Sequence, residues 1–497
     1  MENGVPSPQA ALVWLRDDLR LDDQPAIAAA GSAPTLFVYV FDETTPGPRS
    51  LGGASKWYLG RSLAAFAKRI TAFGGRLDVL VGASEPLLLD LVRAGRVTSA
   101  FWTRRYGGGE IALDRRIKAA LRAQGVEARS FNGQLLREPW EVRTGKGDRY
   151  SVFTPFWRAH LALGAPPAPL PAPKKLVAAP WPDGAPPRVE IADLGLHPTK
   201  PDWSAGLAKT WTPGEAGAQT RLKAFIDGPV ADYADGRNRL DLDYASNLSP
   251  HLRFGEISPH RIGAALEAAV AGGGAQARQS DAFMREIGWR DFSYAQLLAD
   301  PELATRPYKP AFSAFPFRDD PGALDAWQKG MTGYPVVDAA MRQLWRTGTM
   351  HNRARMIVAS FLVKHLLVDW RVGEAWFWDT LCDADPANNP ASWQWVMGSG
   401  ADAAPYFRIF NPVLQGQKFD PDGAYVRRWV PELANALAAW IHAPWLASPV
   451  ERASAGLALG RDYPLPIVDH GAARARALKA LAAIRADRGD EGRDHDA

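Results

Sequence analysis

The sequence predicts a parallel α/β domain followed by an all-α domain, on three observations. Short apolar runs that break into charge recur through the first part of the chain, as ALVWLRDD, TLFVYVFD, RLDVLVG and VTSAFWTRRY, with helical stretches between them. A Pro- and Ala-rich stretch over 165–187 then interrupts the pattern; proline withholds backbone donors and favours extended chain, so it reads as a linker. Beyond about Trp211 helical spacing takes over, in RLKAFIDGPVADYADGR, PHRIGAALEAAVA, SDAFMREIGWRDFSYAQLL, YPVVDAAMRQLWRTG and HNRARMIVASFLVKHLLVDW. The expected organisation is an α/β domain over 8–135, a linker over 136–210 that is Pro-rich in its middle, a helical domain over 211–485 and a disordered, charged tail over 486–497.

Taken in order, the first apolar run is followed by DDQPAIAAA, where acids ahead of a proline mark a helix start. TLFVYVFD is rich in β-formers, and SKWYLGRSLAAFAKRI after it is amphipathic. Strands alternating with helices imply a parallel sheet with right-handed crossovers. Such sheets bind ligands beyond the carboxyl ends of their strands, the positions of Asp17–Asp18, Asp42 and Arg104–Arg105. No G-x-G-x-x-G follows the first strand, and Gly107–Gly109 reads as a turn, so a dinucleotide fingerprint is missing.

Composition narrows the function. A chain of 497 residues predicts two to four domains, and near-average hydrophobic and charged fractions exclude global disorder. Cys382 is the only cysteine, which excludes a disulfide framework and cysteine-rich metal sites and favours a reduced compartment. No apolar run is long enough for a membrane helix, and the N-terminus lacks the features of a signal peptide, so a cytoplasmic protein without a membrane partner is expected. With a net charge of +4, any basic patch for a polyanion has to be local. The 19 tryptophans supply stacking and redox chemistry as well as packing.

Three clusters in the helical half carry chemistry. In YADGRNRLDLDYASNLSPHLRFGEISP, Ser246 and Ser249 precede an apolar segment as helix caps would; free N–H groups and hydroxyls there also make a phosphate cradle. In HNRARMIVASFLVKHLLVDW, Arg353 and Arg355 are two apart, about 200° around a helix, so one faces away from the core while the other turns inward and needs a carboxylate. In LCDADPANNPASWQWVMGSG, Asp383 and Asp385 can supply it. Pro386 and Pro390 place the Asn pair in a turn, and Trp393 and Trp395 face different ways. The set lacks the donors of a metal site, so no metal is expected.

The stretches NLSPHLRFGEISP, EIGWRDF, TGYPVVDAAMRQLW, MHNRARMIVASFLVKHLLVDW and GADAAPYFRIFNPVLQGQKFDPDGAYVRRWVPEL resemble the flavin domain of the photolyase/cryptochrome family, most nearly bacterial class I cyclobutane pyrimidine dimer photolyases. LVWLRDDLRLDDQPAIAAA and YSVFTPFWRAH resemble the family's first domain and its exit, so the likeness spans nearly the whole chain. It implies a Rossmann-like antenna domain and a helical domain that folds around FAD. It further implies light-driven repair of DNA carrying pyrimidine dimers, by electron transfer from excited reduced FAD (FADH⁻) to a flipped-out lesion. A monomer is expected.

By that resemblance, Tyr233, Ser246, Asn247, Leu248, Ser249 and Arg290 hold the FAD, and Asn352, Arg355, Asp383, Asp385 and Asn389 surround its ring and adenine. Asn389 matches the residue facing flavin N5, where a neutral amide accepts N5–H and suits the reduced state. Glu286 matches the carboxyl that hydrogen-bonds the thymine carbonyls, and Trp289 and Trp395 match the stacking walls. Asn352 and Met356 match further lesion-lining residues, and Arg237, Arg353 and Lys418 match phosphate contacts. Trp393 and Trp370 match the first two members of a tryptophan chain for flavin photoreduction. An antenna, methenyltetrahydrofolate or 8-hydroxy-deazaflavin, would sit in the first domain, where Glu110 roughly matches a contacting acid.

His351 followed by Asn352 and Arg353 departs from the (6-4) photolyase pattern of two adjacent histidines and a leucine. The alternative is an FAD-binding blue-light photoreceptor that signals to a partner; the complete lesion set and the short tail argue against it. Several positions depart from the family. Phe317 takes the terminal place in the tryptophan chain, and phenylalanine is much harder to oxidise, so that chain reads as broken; Trp345, Trp376 and Trp378 are candidate donors in its stead. Ala245 replaces a threonine of the phosphate loop, Thr349 replaces a tryptophan before MHNR, and Phe283 replaces another tryptophan. The first two predict a looser hold on FAD.

Overall fold

In the computed structural model, which describes residues 10–403 and 407–491, the alternating runs become a five-stranded sheet. Its elements are β1 (Ala10–Leu15), α1 (Pro25–Ala30), β2 (Thr35–Phe41), α2 (Gly53–Ala72), β3 (Leu77–Val81), α3 (Ser84–Gly95), β4 (Val97–Thr103), α4 (Gly108–Ala123) and β5 (Glu127–Phe131). The order is β3-β2-β1-β4-β5, and every pairing is parallel. β1 lies at the centre and is buried throughout, which explains why it reads as a continuous apolar run.

The carboxyl end of β1 lies where the strand order reverses, the place such sheets reserve for ligands. It carries ion pairs: Asp17 meets Arg105 at 2.6 Å and Arg253 at 2.9 Å. Burial disfavours the charged carboxylate, but the two guanidiniums outweigh it and hold Asp17 well below the usual range. Asp18 accepts from Arg16 N (2.6 Å), Gln24 Nε2 (2.6 Å) and Thr103 Oγ1 (2.9 Å). The glycine run does not form a free turn. Gly107 occupies the N-cap of α4, Gly108 and Gly109 open the helix, and a side chain at 109 would strike the Gly47 backbone.

Two compact units emerge. One comprises the chain through Tyr150, Thr154–Ala231 and Ser246–Pro301; the other comprises Ser151–Phe153, Asp232–Ala245 and everything from Glu302 on. The first therefore takes in helices from beyond residue 211, so the compact units do not divide at that boundary. The stretch 136–210 holds the Phe153–Ala162 and Ala205–Thr210 helices and a 3₁₀ turn at Ile191–Leu194. Its Pro-rich middle forms no helix or strand but is pinned to the start of β2, with Ala179 N donating to Thr35 O at 3.0 Å.

The second unit is built on an apolar core from the Pro335–Thr347, Asn352–Ser360, Trp370–Thr380, Asn388–Met397, Ala424–Trp429 and His470–Glu491 helices. The last of these runs into the stretch the sequence reads as a disordered tail; residues 492–497 lie outside the described residues. It packs on a π turn, Phe361–His365, where buried His365 Nε2 meets His470 Nδ1 at 2.9 Å and Arg476 donates to His365 O at 2.6 Å. No helix among the described residues is long and apolar enough to cross a membrane.

Burial, reinforced by the charges of His470, Arg476 and Lys364, pushes the His365 imidazole down to about 3. The unfolded ring takes a proton near its ordinary 6.5 while the folded ring refuses it. The stability difference is therefore fully present above pH 6.5 and is lost as pH falls toward 3. Each such group steepens the loss by about 1.4 kcal/mol per pH unit. His365→Phe is expected to flatten the dependence of the urea midpoint on pH between 6.5 and 4, without abolishing it. His351 acts in the same window, pushed to about 4 by burial and by Arg353, Arg355 and Arg237. An unchanged slope would contradict this.

Candidate functional site

In the second unit, chemistry gathers around the start of the Asn352–Ser360 helix. His351 caps it, Nδ1 accepting from Arg353 N at 3.1 Å, which requires the neutral ring that its lowered pKa supplies. The two arginines diverge as their spacing demands. Arg355 turns inward: one nitrogen donates to both oxygens of Asp383, at 2.8 and 3.1 Å, and Nε donates to Met350 O at 2.8 Å. Arg353 turns the other way, donating to Asn238 Oδ1 at 2.7 Å with its guanidinium 4.5 Å over the Phe419 ring. Its Nε is buried without a partner among the described residues, and burial together with Arg237 and Arg408 disfavours its charge. Exposed Lys418 lies on the same ring, 5.4 Å away. Asn352 is exposed in the first turn, Met356 is half-buried one turn on, and buried Tyr233 lies 5.4 Å under the Arg237 guanidinium.

Asp385 organises the second feature. Its Oδ1 accepts from Ala387 N (2.9 Å), Asn388 N (2.8 Å) and Asn388 Nδ2 (2.9 Å). Asn388 and Asn389 consequently begin a helix, Asn388–Met397, rather than lying in a turn. Pro390 is tolerated because first-turn N–H groups have no helical acceptor. Asn389 is buried, and its Nδ2 donates to Glu374 Oε1 at 2.8 Å and Glu374 O at 3.0 Å. Its Oδ1 accepts from no described residue. One turn on, Trp393 is buried with Nε1 unpartnered among the described residues, whereas half-buried Trp395 donates to Asp402 O at 3.0 Å.

In the first unit, the expected caps are not caps. Leu248 takes the N-cap position of the Ser249–Arg253 helix without a side-chain bond, and Ser249 is its exposed first residue. Ser246 Oγ only accepts from Leu248 N, at 3.4 Å, and Asn247 adopts a left-handed φ of 54°. The Ser249 hydroxyl is therefore not spent on the helix. On the Ala277–Ala299 helix, Glu286 and Trp289 lie three apart on one face, both half-buried. Arg290, read with the cofactor residues, is taken up locally: its guanidinium donates to Gln134 O and lies 5.2 Å from the Tyr294 ring. Asp291 anchors the helix by accepting from Arg137 N at 3.0 Å, and Gln296 does so by donating to Tyr150 O at 2.9 Å. Phe283 fills its place by packing on Phe225, 4.6 Å between centroids. Glu110 folds back toward Gly107, where its carboxyl occupies the space of a side chain at 107.

The redox-active aromatics form two groups. Trp393 and Trp370 are both buried, and a Cβ at Gly373 would strike the Trp393 indole, so this glycine lets the Trp370–Thr380 helix approach it. Phe377 lies 5.0 Å from Trp393. Phe317 is half-buried and packs at 5.0 Å on Phe315, another poor electron donor. Elsewhere on the Trp370–Thr380 helix, Trp376 stacks on Trp345 with centroids 5.9 Å apart and planes 7° from parallel. Trp345 is 57% exposed, so this pair ends at solvent.

Residues 11–174 match the family model described as DNA photolyase, and residues 283–483 match that for the FAD binding domain of DNA photolyase. A deoxyribodipyrimidine photo-lyase of Agrobacterium fabrum is 50% identical over 479 residues, covering 95% of this chain and 98% of that protein. This chain belongs to the photolyase/cryptochrome family. A cryptochrome-1 of Arabidopsis thaliana is 38% identical, covering 96% of this chain and 71% of its own length. Among solved structures, a bacterial class III photolyase from Agrobacterium tumefaciens superposes with a TM-score of 0.91 at 48% identity, covering 97% of this chain and 99% of that one. The structural relative is thus described as class III, where the sequence most nearly resembles class I.

The chain is a photolyase-family enzyme that binds FAD, and its side chains fit that group. In the second unit, buried Asn389 carries an acceptor that no described residue uses, and Arg355 is held by Asp383. Among the described residues no three His, Cys, Asp or Glu side chains gather as a metal site needs. Several supporting residues escape sequence reasoning. Glu374 holds Asn389, Asn238 holds Arg353, and buried Gln394 donates to Leu303 O (2.7 Å) and Arg306 O (2.8 Å) while accepting from Tyr308 N (2.7 Å). Only Glu374 touches a residue assigned to the flavin ring.

Proposed function

We propose that this chain repairs cyclobutane pyrimidine dimers in DNA under blue light, as a class III rather than a class I enzyme. The observation that carries the reading is the carboxyl and indole of Glu286 and Trp289, presented together on one face of an anchored helix. A carboxyl there hydrogen-bonds a thymine carbonyl, and an indole stacks on the base beside it. The family resemblance assigns a second aromatic wall to Trp395. Arg353, with a buried N–H unmet and cations for neighbours, takes a DNA phosphate, with Arg237 and Lys418 as further contacts. FAD, when bound and reduced, supplies the light-driven electron. Asn389 offers its amide oxygen to flavin N5–H. His351, Asn352 and Arg353 argue for cyclobutane dimers over (6-4) photoproducts. Phe317, Ala245 and Thr349 break the class I pattern, and the solved structure described as class III superposes with a TM-score of 0.91.

The test uses chemically reduced protein and two oligothymidines, one carrying cyclobutane dimers and one carrying (6-4) photoproducts. Blue light is expected to restore thymine absorbance in the first only, with no change in the dark. No recovery from either, with FAD bound and reduced, would overturn the reading in favour of a photoreceptor.

The solvent-ended Trp345–Trp376 stack supports a route for photoreduction that bypasses Phe317. Trp376→Phe is expected to slow accumulation of reduced flavin severalfold under blue light with a thiol donor, and Phe317→Trp in that background to restore part of the rate. A wild-type rate in Trp376→Phe would exclude the route.

A further inference from the structure

The amide of Asn389 has two chemically different ends, and the one turned to the ligand decides whether it offers an acceptor or a donor. Glu374 settles this. It lies within the Trp370–Thr380 helix, is 2% exposed, and sets two oxygens against the Asn389 amide: its carboxylate Oε1 at 2.8 Å and its own carbonyl at 3.0 Å. Both N–H groups of Asn389 are consumed. With the amide reversed, Oδ1 would face two oxygens with no proton between them, a buried arrangement that costs as much as losing both bonds. The carbonyl belongs to a helix and is already an intrahelical acceptor, so the carboxylate is the stronger of the two holds. A charge at the N–H end also polarises the amide and strengthens its oxygen as an acceptor.

We propose that Glu374 is a positioning residue that presents Asn389 Oδ1 to the flavin and thereby protects the reduced cofactor from oxidation. This rests on the reading that Asn389 faces flavin N5. Nothing in the local sequence WRVGEAWFWDT marks this glutamate, and its part emerges only from the contact across to the next helix.

The experiment compares holoprotein of wild type, Glu374→Leu, Glu374→Ser, Glu374→Gln and Asn389→Ala. FAD content is measured first. The flavin is then reduced with dithionite, the reductant is removed, and reoxidation in air is followed in the dark by absorbance. Glu374→Leu and Glu374→Ser are expected to retain FAD and reoxidise about tenfold faster, the low end of what a hydrogen bond to a charged group is worth. Glu374→Gln keeps an oxygen at the same reach and is expected to stay within about threefold of wild type. Asn389→Ala is expected to match the fast variants, and adding Glu374→Leu to it to have no further effect, because the two act as one unit. Wild-type rates in Glu374→Leu and Glu374→Ser beside a fast Asn389→Ala would overturn the role of Glu374. A wild-type rate in Asn389→Ala would instead sink the reading of Asn389 itself. Loss of FAD from both Glu374→Leu and Glu374→Ser, with FAD kept by Asn389→Ala, would show that Glu374 serves packing and also overturn the proposal.

Discussion

Asp383→Ala is expected to give a protein that is less stable and leaves gel filtration without its flavin. Asp383 is buried and is the carboxylate that balances Arg355, whose Nε donates to the Met350 carbonyl. Removing one partner of such a pair leaves a charge in a poor environment. Because Arg355 keeps about a quarter of its side chain in solvent, the cost falls at the low end of the range for buried pairs, about 3 kcal/mol. The urea midpoint reads that loss, and the ratio of flavin to protein absorbance reads the cofactor. Asp383→Asn keeps an acceptor for the guanidinium and is expected to lie between the two. Stoichiometric FAD in Asp383→Ala would show that the pair is structural alone.

Glu286→Leu is expected to lower light-driven repair roughly tenfold to a hundredfold, the worth of one hydrogen bond to developing charge. The helix that carries Glu286 is fixed by Asp291 and Gln296 on other faces, so the substitution leaves the scaffold in place. Affinity for dimer-containing DNA is expected to stay within about threefold, because phosphate contacts carry most of it. Glu286→Gln retains a donor for the thymine carbonyl and is expected to recover most of the activity. The measurement is the initial repair rate of reduced protein under constant illumination. Equal rates in Glu286→Leu and wild type would remove Glu286 from the chemistry.

Much of this was legible in the chain, for identifiable reasons. A central parallel strand is buried on both sides, so β1 writes itself as an unbroken apolar run. The two-residue spacing of Arg353 and Arg355 forces them apart, and the demand of the inner one for a carboxylate was met by Asp383. Other features were written in contacts that local pattern does not encode. Ser246 and Ser249 had the right identity for caps, but the helix begins at Ser249 itself and leaves Leu248 in the capping position. Two prolines suggested a turn at Asn388–Asn389, yet Asp385 satisfies the first N–H groups and lets the helix start there. Gly107–Gly109 had the composition of a turn, but the close approach of Gly47 makes these the glycines of a helix start. Glu374 and Gln394 sit within ordinary helical sequence, and only the partners on neighbouring segments give them their roles.

The central claim is that reduced flavin held by this chain splits a pyrimidine dimer in light and is itself unchanged. A single-turnover flash tests it most directly. Reduced holoprotein saturated with a dimer-containing oligothymidine receives one brief blue flash, and thymine absorbance and flavin absorbance are recorded together. The account predicts restored thymine and a flavin spectrum that returns to that of the fully reduced cofactor. Absence of thymine recovery, or recovery matched by flavin left oxidised, would contradict it.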